Sequence, residues 1–192
     1  GPTGTKEMMS HLEKAYQFDI GVRTHYPRDG VAVVARDFTE GVVYDESGVR
    51  ITAFEVDHGR VQPAYGYRID YAGRSAVLSG DTRYNENVIR FSQGVDLLVH
   101  EVAAMTEELL RTSDNARVIA GNHTTPEQAG EVFERAQPKL AVYSHILQFG
   151  GDLLSEIVDS TSKAYAGPFE VGEDLMTISL GERVEVGRIA KH

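Results

Sequence analysis

Residues 95–111, VDLLVHEVAAMTEELLR, set a short apolar run, Val95–Val99, before a His-Glu pair, and then a stretch with helical spacing, Ala103–Arg111. The same order returns at 140–165, LAVYSHILQFGGDLLSEIVDSTSKAY, where Leu140–Tyr143 leads into Ser144-His145 and a helix is expected over Leu153–Tyr165. Apolar runs of four or five residues suit buried strands, and their alternation with helical segments points to the α/β class with mixed sheets. Working outward, Val31–Val34, Val42-Val43 and Val49–Val56 are expected as strands. Hairpins are expected at Tyr71-Ala72-Gly73, between Tyr65–Tyr71 and Ser75–Leu78, and around Gly181 within Met176–Val186.

Two helix starts can be read locally. Thr5 is an N-cap candidate for a helix to Phe18 that puts Met8, Met9, Leu12, Ala15 and Tyr16 on one face. Thr125, with Pro126 at the first helical position and Gln128 three residues after the cap, forms a capping-box pattern. That pattern places His123 in the loop just before a helix.

The chain has 192 residues, 41% of them hydrophobic and 25% charged, which suits one globular domain. There are 19 Lys and Arg against 29 Asp and Glu, a net charge of −10, so most of the surface repels phosphate backbones. Cysteine is absent, which removes disulfides, thiolate metal sites and cysteine nucleophiles. No apolar run approaches the ~18 residues of a membrane span, and the compartment, cytoplasmic or periplasmic, stays open.

The chemistry-bearing residues gather where strands end. Ile51–Val56 runs into Asp57-His58, Ala76–Leu78 into Ser79-Gly80-Asp81, Leu97–Val99 into His100-Glu101, and Ala141–Tyr143 into Ser144-His145. In an open α/β sheet, ligands collect beyond the carboxyl ends of strands. Each residue alone has a plainer role: a histidine after a strand commonly bonds a loop carbonyl, Asp81 suits a helix cap, and His100-Glu101 suits a solvated turn. Together, His58, Asp81, His100, His123 and His145 form a His/Asp set without thiols, which suits a divalent metal such as zinc. His11, His25 and His192 are assigned no chemistry.

In order along the chain, VDHGRVQPAYGYRI (56–69), SGDTR (79–83), LVHEV (98–102), HTTPEQA (123–129) and VYSHI (142–146) resemble the later half of a metallo-β-lactamase-fold hydrolase. The likeness is to the ribonuclease Z and arylsulfatase-like branch, and the opening GPTGT resembles the segment after that family's first metal motif. The resemblance implies the C-terminal portion of an αββα sandwich. It further implies metal ligation by His58, Asp81 and His145, with Asp81 bridging two zinc ions or other divalent metals. His123 matches a general acid and Glu101 the carboxylate that orients it and favours its protonated form; His100 is left as a supporting residue. Ser79, Gly80 and Thr82 are expected to shape the approach to Asp81.

The implied function is hydrolysis of a phosphodiester, sulfate ester or related ester through a metal-bound hydroxide. The family's HxHxDH motif is missing, and the chain has no H-x-H, so the ligand set is incomplete. An N-terminally shortened chain is therefore expected, in preference to a protein that lost the chemistry. No long arm follows Tyr67-Arg68, which with the acidic charge counts against transfer RNA and favours a small ester substrate. The rival readings are a metal-poor half-domain that covers its open sheet face by homodimerising or by joining an N-terminal portion, and a lactonase or thioesterase-like hydrolase.

Overall fold

Residues 1–23 and 33–188 are described by the computed structural model, in two units, Gly1–Thr39 and Glu40–His192. In the first unit, α1 (Thr5–Ala15) and α2 (Gln17–Val22) are separated at Tyr16, so the single helix expected to Phe18 is broken. Thr5 is not the cap. Gly4 holds that place in the left-handed region, φ 97°, and Asp37 supplies the acceptor from a distance. Its Oδ1 accepts the Lys6 N–H at 2.8 Å and its Oδ2 the Gly4 N–H at 3.3 Å, satisfying donors that a helix start leaves unpaired. The Lys6 hydrogen bond leads in holding this carboxyl below its ordinary value. None of the α1 side chains is buried. Of the strand expected at Val31–Val34, residues 33 and 34 are not in a strand and the other two lie outside the described residues, as do His25 and His192.

The second unit is built on a seven-stranded sheet in sequence order: β1 (Gly41–Glu46), β2 (Val49–His58), β3 (Val61–Tyr71), β4 (Arg74–Leu78), β5 (Leu97–Met105), β6 (Leu140–Phe149) and β7 (Phe169–Val171). The first three pairings are antiparallel and the last three parallel. The strands β2, β4, β5 and β6 therefore run the same way and present their carboxyl ends to one rim. The β3–β4 turn has positive φ at both Ala72 (48°) and Gly73 (74°), the backbone twist that a two-residue hairpin favours.

Parallel strands need long connections, and helices supply them. These are α3 (Glu86–Phe91), then α4 (Glu107–Thr112), α5 (Asp114–Ala120) and α6 (Pro126–Ala136), and finally α7 (Leu154–Ala164). The capping box expected at α6 is formed by Thr125 and Gln128. Phe54, Val77, Leu98 and Tyr143 of the sheet pack against Val88, Val132, Phe133 and Ile157 of the helices. On the opposite face, Leu97, Leu140 and Val142 meet Ile178, Leu180, Val184 and Val186 of a hairpin, β8 (Thr177–Leu180) and β9 (Val184–Gly187).

Two expected boundaries are corrected. Ala103–Met105 is strand, not the start of a helix; helix begins only at Glu107, capped by Thr106. Likewise β6 does not stop at Tyr143. Beyond the rim the two strands pair again, Val102 with Ile146 through Met105 with Phe149. Between these pairings Glu101 stands opposite Ser144 and His145, a β-bulge with His145 at φ 48°. Burial of Val102, Ala103 and Ala104 against their neighbours overrides the helix propensity of alanine.

Candidate active site

His58 is the last residue of β2, Asp81 lies three residues past β4, Glu101 sits at the β5 bulge, and His145 is on the facing β6. Gly80, φ 64°, lets the chain turn toward Asp81 close over the Tyr65 carbonyl, where a Cβ would stand 2.7 Å from that oxygen. The bulge at His145 re-aims its side chain, the usual use of such a device beside a site. His145 Nε2 comes within 3.4 Å of Asp81 Oδ2. The His123 ring lies 4.9 Å from that of His58 and 5.6 Å from that of His145. His58, Asp81, His123 and His145 thus share one cluster, Glu101 joins it through His123, and His100 stands apart. His11 stays exposed on α1.

Glu101 is fully enclosed. Its Oε1 accepts the Thr124 N–H at 2.7 Å, and its Oε2 lies 3.1 Å from His123 Nδ1. Burial pushes its carboxyl up to about 8, the Asp81 charge adds to this, and the Thr124 hydrogen bonds oppose it. Burial also lowers the His123 imidazole, helped by His58 and His145 and opposed by Asp81. Both shifts run against the expected pairing of a carboxylate with a charged ring. Withdrawal from water disfavours charge on both partners. With both partners uncharged, the carboxyl O–H donates to Nδ1 and Nε2 carries the ring's own proton.

The segment that carries His123 is tied down by its backbone. Gly121, Asn122 and His123 donate their N–H groups to the carbonyls of Arg117, Ile119 and Ala120, which pins the segment to the end of α5. Ser79 Oγ accepts the Glu101 N–H at 3.2 Å, and Thr124 Oγ1 donates to the Thr82 carbonyl at 2.7 Å, so two of the expected turn residues bond to Glu101 and to its neighbour Thr124. His100 points into the core against Phe133 and donates from Nδ1 to the Glu101 carbonyl at 2.6 Å. Burial lowers it to about 4, which keeps it neutral.

The donors suit a divalent metal in kind. His58 Nδ1 lies 3.0 Å from the Asn122 carbonyl, so Nδ1 carries the hydrogen, and in the neutral ring that leaves the lone pair on Nε2, the tautomer that a ligating imidazole needs. The 3.4 Å between His145 and Asp81 matches the spacing of two donors each about 2.1 Å from one tetrahedral ion, roughly 3.4 Å. In number they fall short: among the described residues, no three His, Asp or Glu side chains stand close enough together to hold an ion.

The family description "Beta-lactamase superfamily domain" matches residues 3–146. The chain belongs to the beta-lactamase superfamily. Among its relatives is a ribonuclease Z from Mycobacterium avium (strain 104), 32% identical over 188 residues, which cover 94% of this chain and 66% of the relative. A putative ribonuclease Z from Mycobacterium tuberculosis (strain CDC 1551 / Oshkosh) is 30% identical, covering 95% of this chain and 84% of the relative. The chain spans just under two thirds of the length of the first of these curated relatives, 66%. Among solved structures, the metallo-β-lactamase-fold protein YhfI from Bacillus subtilis matches with a TM-score of 0.59 at 18% identity, over 79% of this chain and 55% of that one. The short form of human tRNase Z matches at 0.51 and 22% identity, over 73% and 46%. This superfamily member therefore has the metallo-β-lactamase fold in its mixed sheet and flanking helices.

Asn122 and Arg83 escaped the sequence reading. Both stand beside chemistry-bearing residues, Asn122 directly before His123 and Arg83 two after Asp81, yet neither residue type advertises a role on its own.

Proposed function

We propose that this chain carries the proton-delivering part and several metal ligands of a phosphodiester hydrolase. The observation that supports it is the Glu101–His123 pair standing beside Asp81 and His145 at one rim of the sheet. His58, Asp81 and His145 would hold divalent metal, zinc before others. When bound, such ions act as Lewis acids and make water a nucleophile near neutral pH.

The chain's own residues supply the other half of the reaction. As the bond from phosphorus to the leaving oxygen breaks, His123 gives its Nε2 proton to that oxygen. Its Nδ1 takes the Glu101 proton in return, and the charge left on Glu101 rests against the Thr124 N–H. A buried pair that holds one transferable proton is suited to this relay.

The ribonuclease Z names of the relatives direct attention to a phosphodiester before a sulfate ester or lactone. Within that class, the closed two-residue β3–β4 turn, which leaves no arm there, and the net charge of −10 favour a small substrate over RNA. The test is a panel of zinc-loaded assays with bis(4-nitrophenyl) phosphate, 4-nitrophenyl sulfate, a simple lactone and a precursor transfer RNA, beside calorimetric zinc titration. With an HxHxDH segment joined to the chain to supply the missing ligands, zinc-dependent turnover of the small phosphodiester ahead of the rest is expected. Faster lactone turnover, or no zinc binding at all, overturns the reading; the latter favours a metal-free binding module.

A further inference from the structure

Three loops that carry the site meet at one asparagine. The first is the end of β2, Asp57–Gly59. The Asp57 carbonyl accepts the Arg83 N–H at 2.9 Å and the Thr82 hydroxyl at 3.3 Å, and its Oδ1 accepts the Gly59 N–H at 2.9 Å. The second is the segment after Asp81, whose Arg83 pairs through Nε with Asp57 Oδ1 at 3.5 Å and donates from Nη2 to Asn122 Oδ1 at 3.2 Å. The third joins α5 to α6 and holds Asn122, whose carbonyl lies 3.0 Å from His58 Nδ1. Gly59, at φ 62°, leaves room for the Asn122 carboxamide, and a side chain there would overlap it.

We propose that Asn122 is a positioning residue, clasped by Arg83, whose peptide unit fixes both the tautomer of His58 and the place of His123. Its side chain is tied to Arg83 and its N–H to the Ile119 carbonyl, and the peptide that follows it is held at both ends, its carbonyl by His58 and the His123 N–H by the Ala120 carbonyl. The next residue along the chain is His123. A rotation of this peptide would turn the acceptor away from His58 and shift the His123 ring, which lies 4.9 Å from that of His58 and 3.1 Å from Glu101. Arg83 is a ready anion binder by its chemistry, but here its guanidinium is engaged by Asp57 and Asn122 and holds loops.

The activity arm of the test rests on the proposed hydrolysis; the spectroscopic arm does not. Asn122→Ala, Asn122→Asp, Arg83→Ala, Arg83→Lys and the Asn122→Ala/Arg83→Ala pair are compared with the unchanged protein. Imidazole nitrogen NMR on metal-free samples should show His58 as the Nδ1–H tautomer in the unchanged protein and in Asn122→Asp, which keeps the acceptor for Arg83, and as a mixture in Asn122→Ala. With a phosphodiester whose leaving group is a poor one, Asn122→Ala and Arg83→Ala should each lower kcat by about 10–100-fold while KM stays within about twofold. Asn122→Asp should restore most of the rate, and the double variant should be no worse than either single one, because both remove the same clasp. Additive losses, a raised KM with kcat kept in Arg83→Ala, or an unchanged His58 tautomer in Asn122→Ala would each overturn the proposal. Absence of phosphodiester turnover in the unchanged protein would defeat the functional reading alone, and the tautomer would still decide the clasp.

Discussion

Glu101 Oε2 lies 3.1 Å from Nδ1 of His123 inside a wall that leaves the carboxyl only 2% exposed. Its other oxygen is held by the backbone of the adjoining Thr124, so residues from β5 and from the turn before α6 close on one proton. The arrangement has a cost that depends on pH. The unfolded chain releases the Glu101 proton near 4.5, the folded chain near 8.

Between those values the folded state binds one more proton than the unfolded state, so stability falls as the pH rises through this window. Below it both states are protonated and the penalty vanishes. Glu101→Gln keeps an acceptor for Thr124 and offers an N–H to His123, but cannot ionise. Denaturant titrations should show the unchanged protein losing on the order of a few kcal/mol between pH 5 and pH 8 from this group, and Glu101→Gln losing markedly less. Parallel curves for the two proteins would mean that the carboxyl is ionised in the fold.

Some of this was open to inspection in the residues and some was not. His58 and Asp81 could be placed because an apolar run ending in a polar, turn-forming group reads the same in one dimension as in three. The capping box at Thr125 is local chemistry and equally legible. By contrast, Ala103–Met105 has the composition of a helix and becomes strand only because β6 lies alongside, a partner more than forty residues away. The bulge at His145 belongs to a register between strands and leaves no local mark. The clasp of Arg83 on Asn122 spans 39 residues between types that are common in loops.

Asp96, on the turn into β5, is a second buried carboxylate with the opposite tuning. Burial would raise it, yet Lys139 at 2.6 Å, the Ser75 N–H at 2.8 Å and Arg74 at 4.0 Å outweigh burial and hold it below the ordinary 3.8. A lowered carboxyl contributes stability that is present above its unfolded value and lost as the pH falls through the folded one. Asp96→Asn should therefore cost about 1–3 kcal/mol at pH 7, the scale of charge-assisted hydrogen bonds, with the difference shrinking as the pH falls below the ordinary 3.8. Chemical melts at pH 7 and pH 2.5 check both parts.

Gly130 lies where α6 crosses α7. A Cβ there would stand 2.7 Å from the Ala164 Cβ and 3.0 Å from the Thr161 carbonyl oxygen. Alanine would gain about 1 kcal/mol of helix propensity. The opposing atoms are a backbone oxygen and a methyl without rotamers, and forcing two packed helices apart typically costs 1–3 kcal/mol, so a net loss is expected for Gly130→Ala. Ala164→Gly in the same chain should recover part of it by removing the nearer atom. A melting temperature that rises in Gly130→Ala would show that the helices have room to move.

The sharpest separation of roles is between His145 and His123, neighbours whose rings are 5.6 Å apart. His145, with Asp81 at 3.4 Å, stands as a metal ligand in the proposed site, whereas His123 is turned to Glu101 and stands as the proton donor. Removing a ligand weakens metal affinity and the chemistry it supports together. In a protein that also carries the HxHxDH motif, His145→Ala should then lose zinc by elemental analysis and lose rate on every substrate. His123→Ala should keep its zinc and lose about 10²–10⁴-fold in turnover, the usual range for a proton donor. Its deficit should narrow for 4-nitrophenyl esters, whose leaving group departs without a proton, and stay wide for alkyl esters. Equal deficits on both ester types, or zinc lost from His123→Ala, would move His123 from proton donor to ligand.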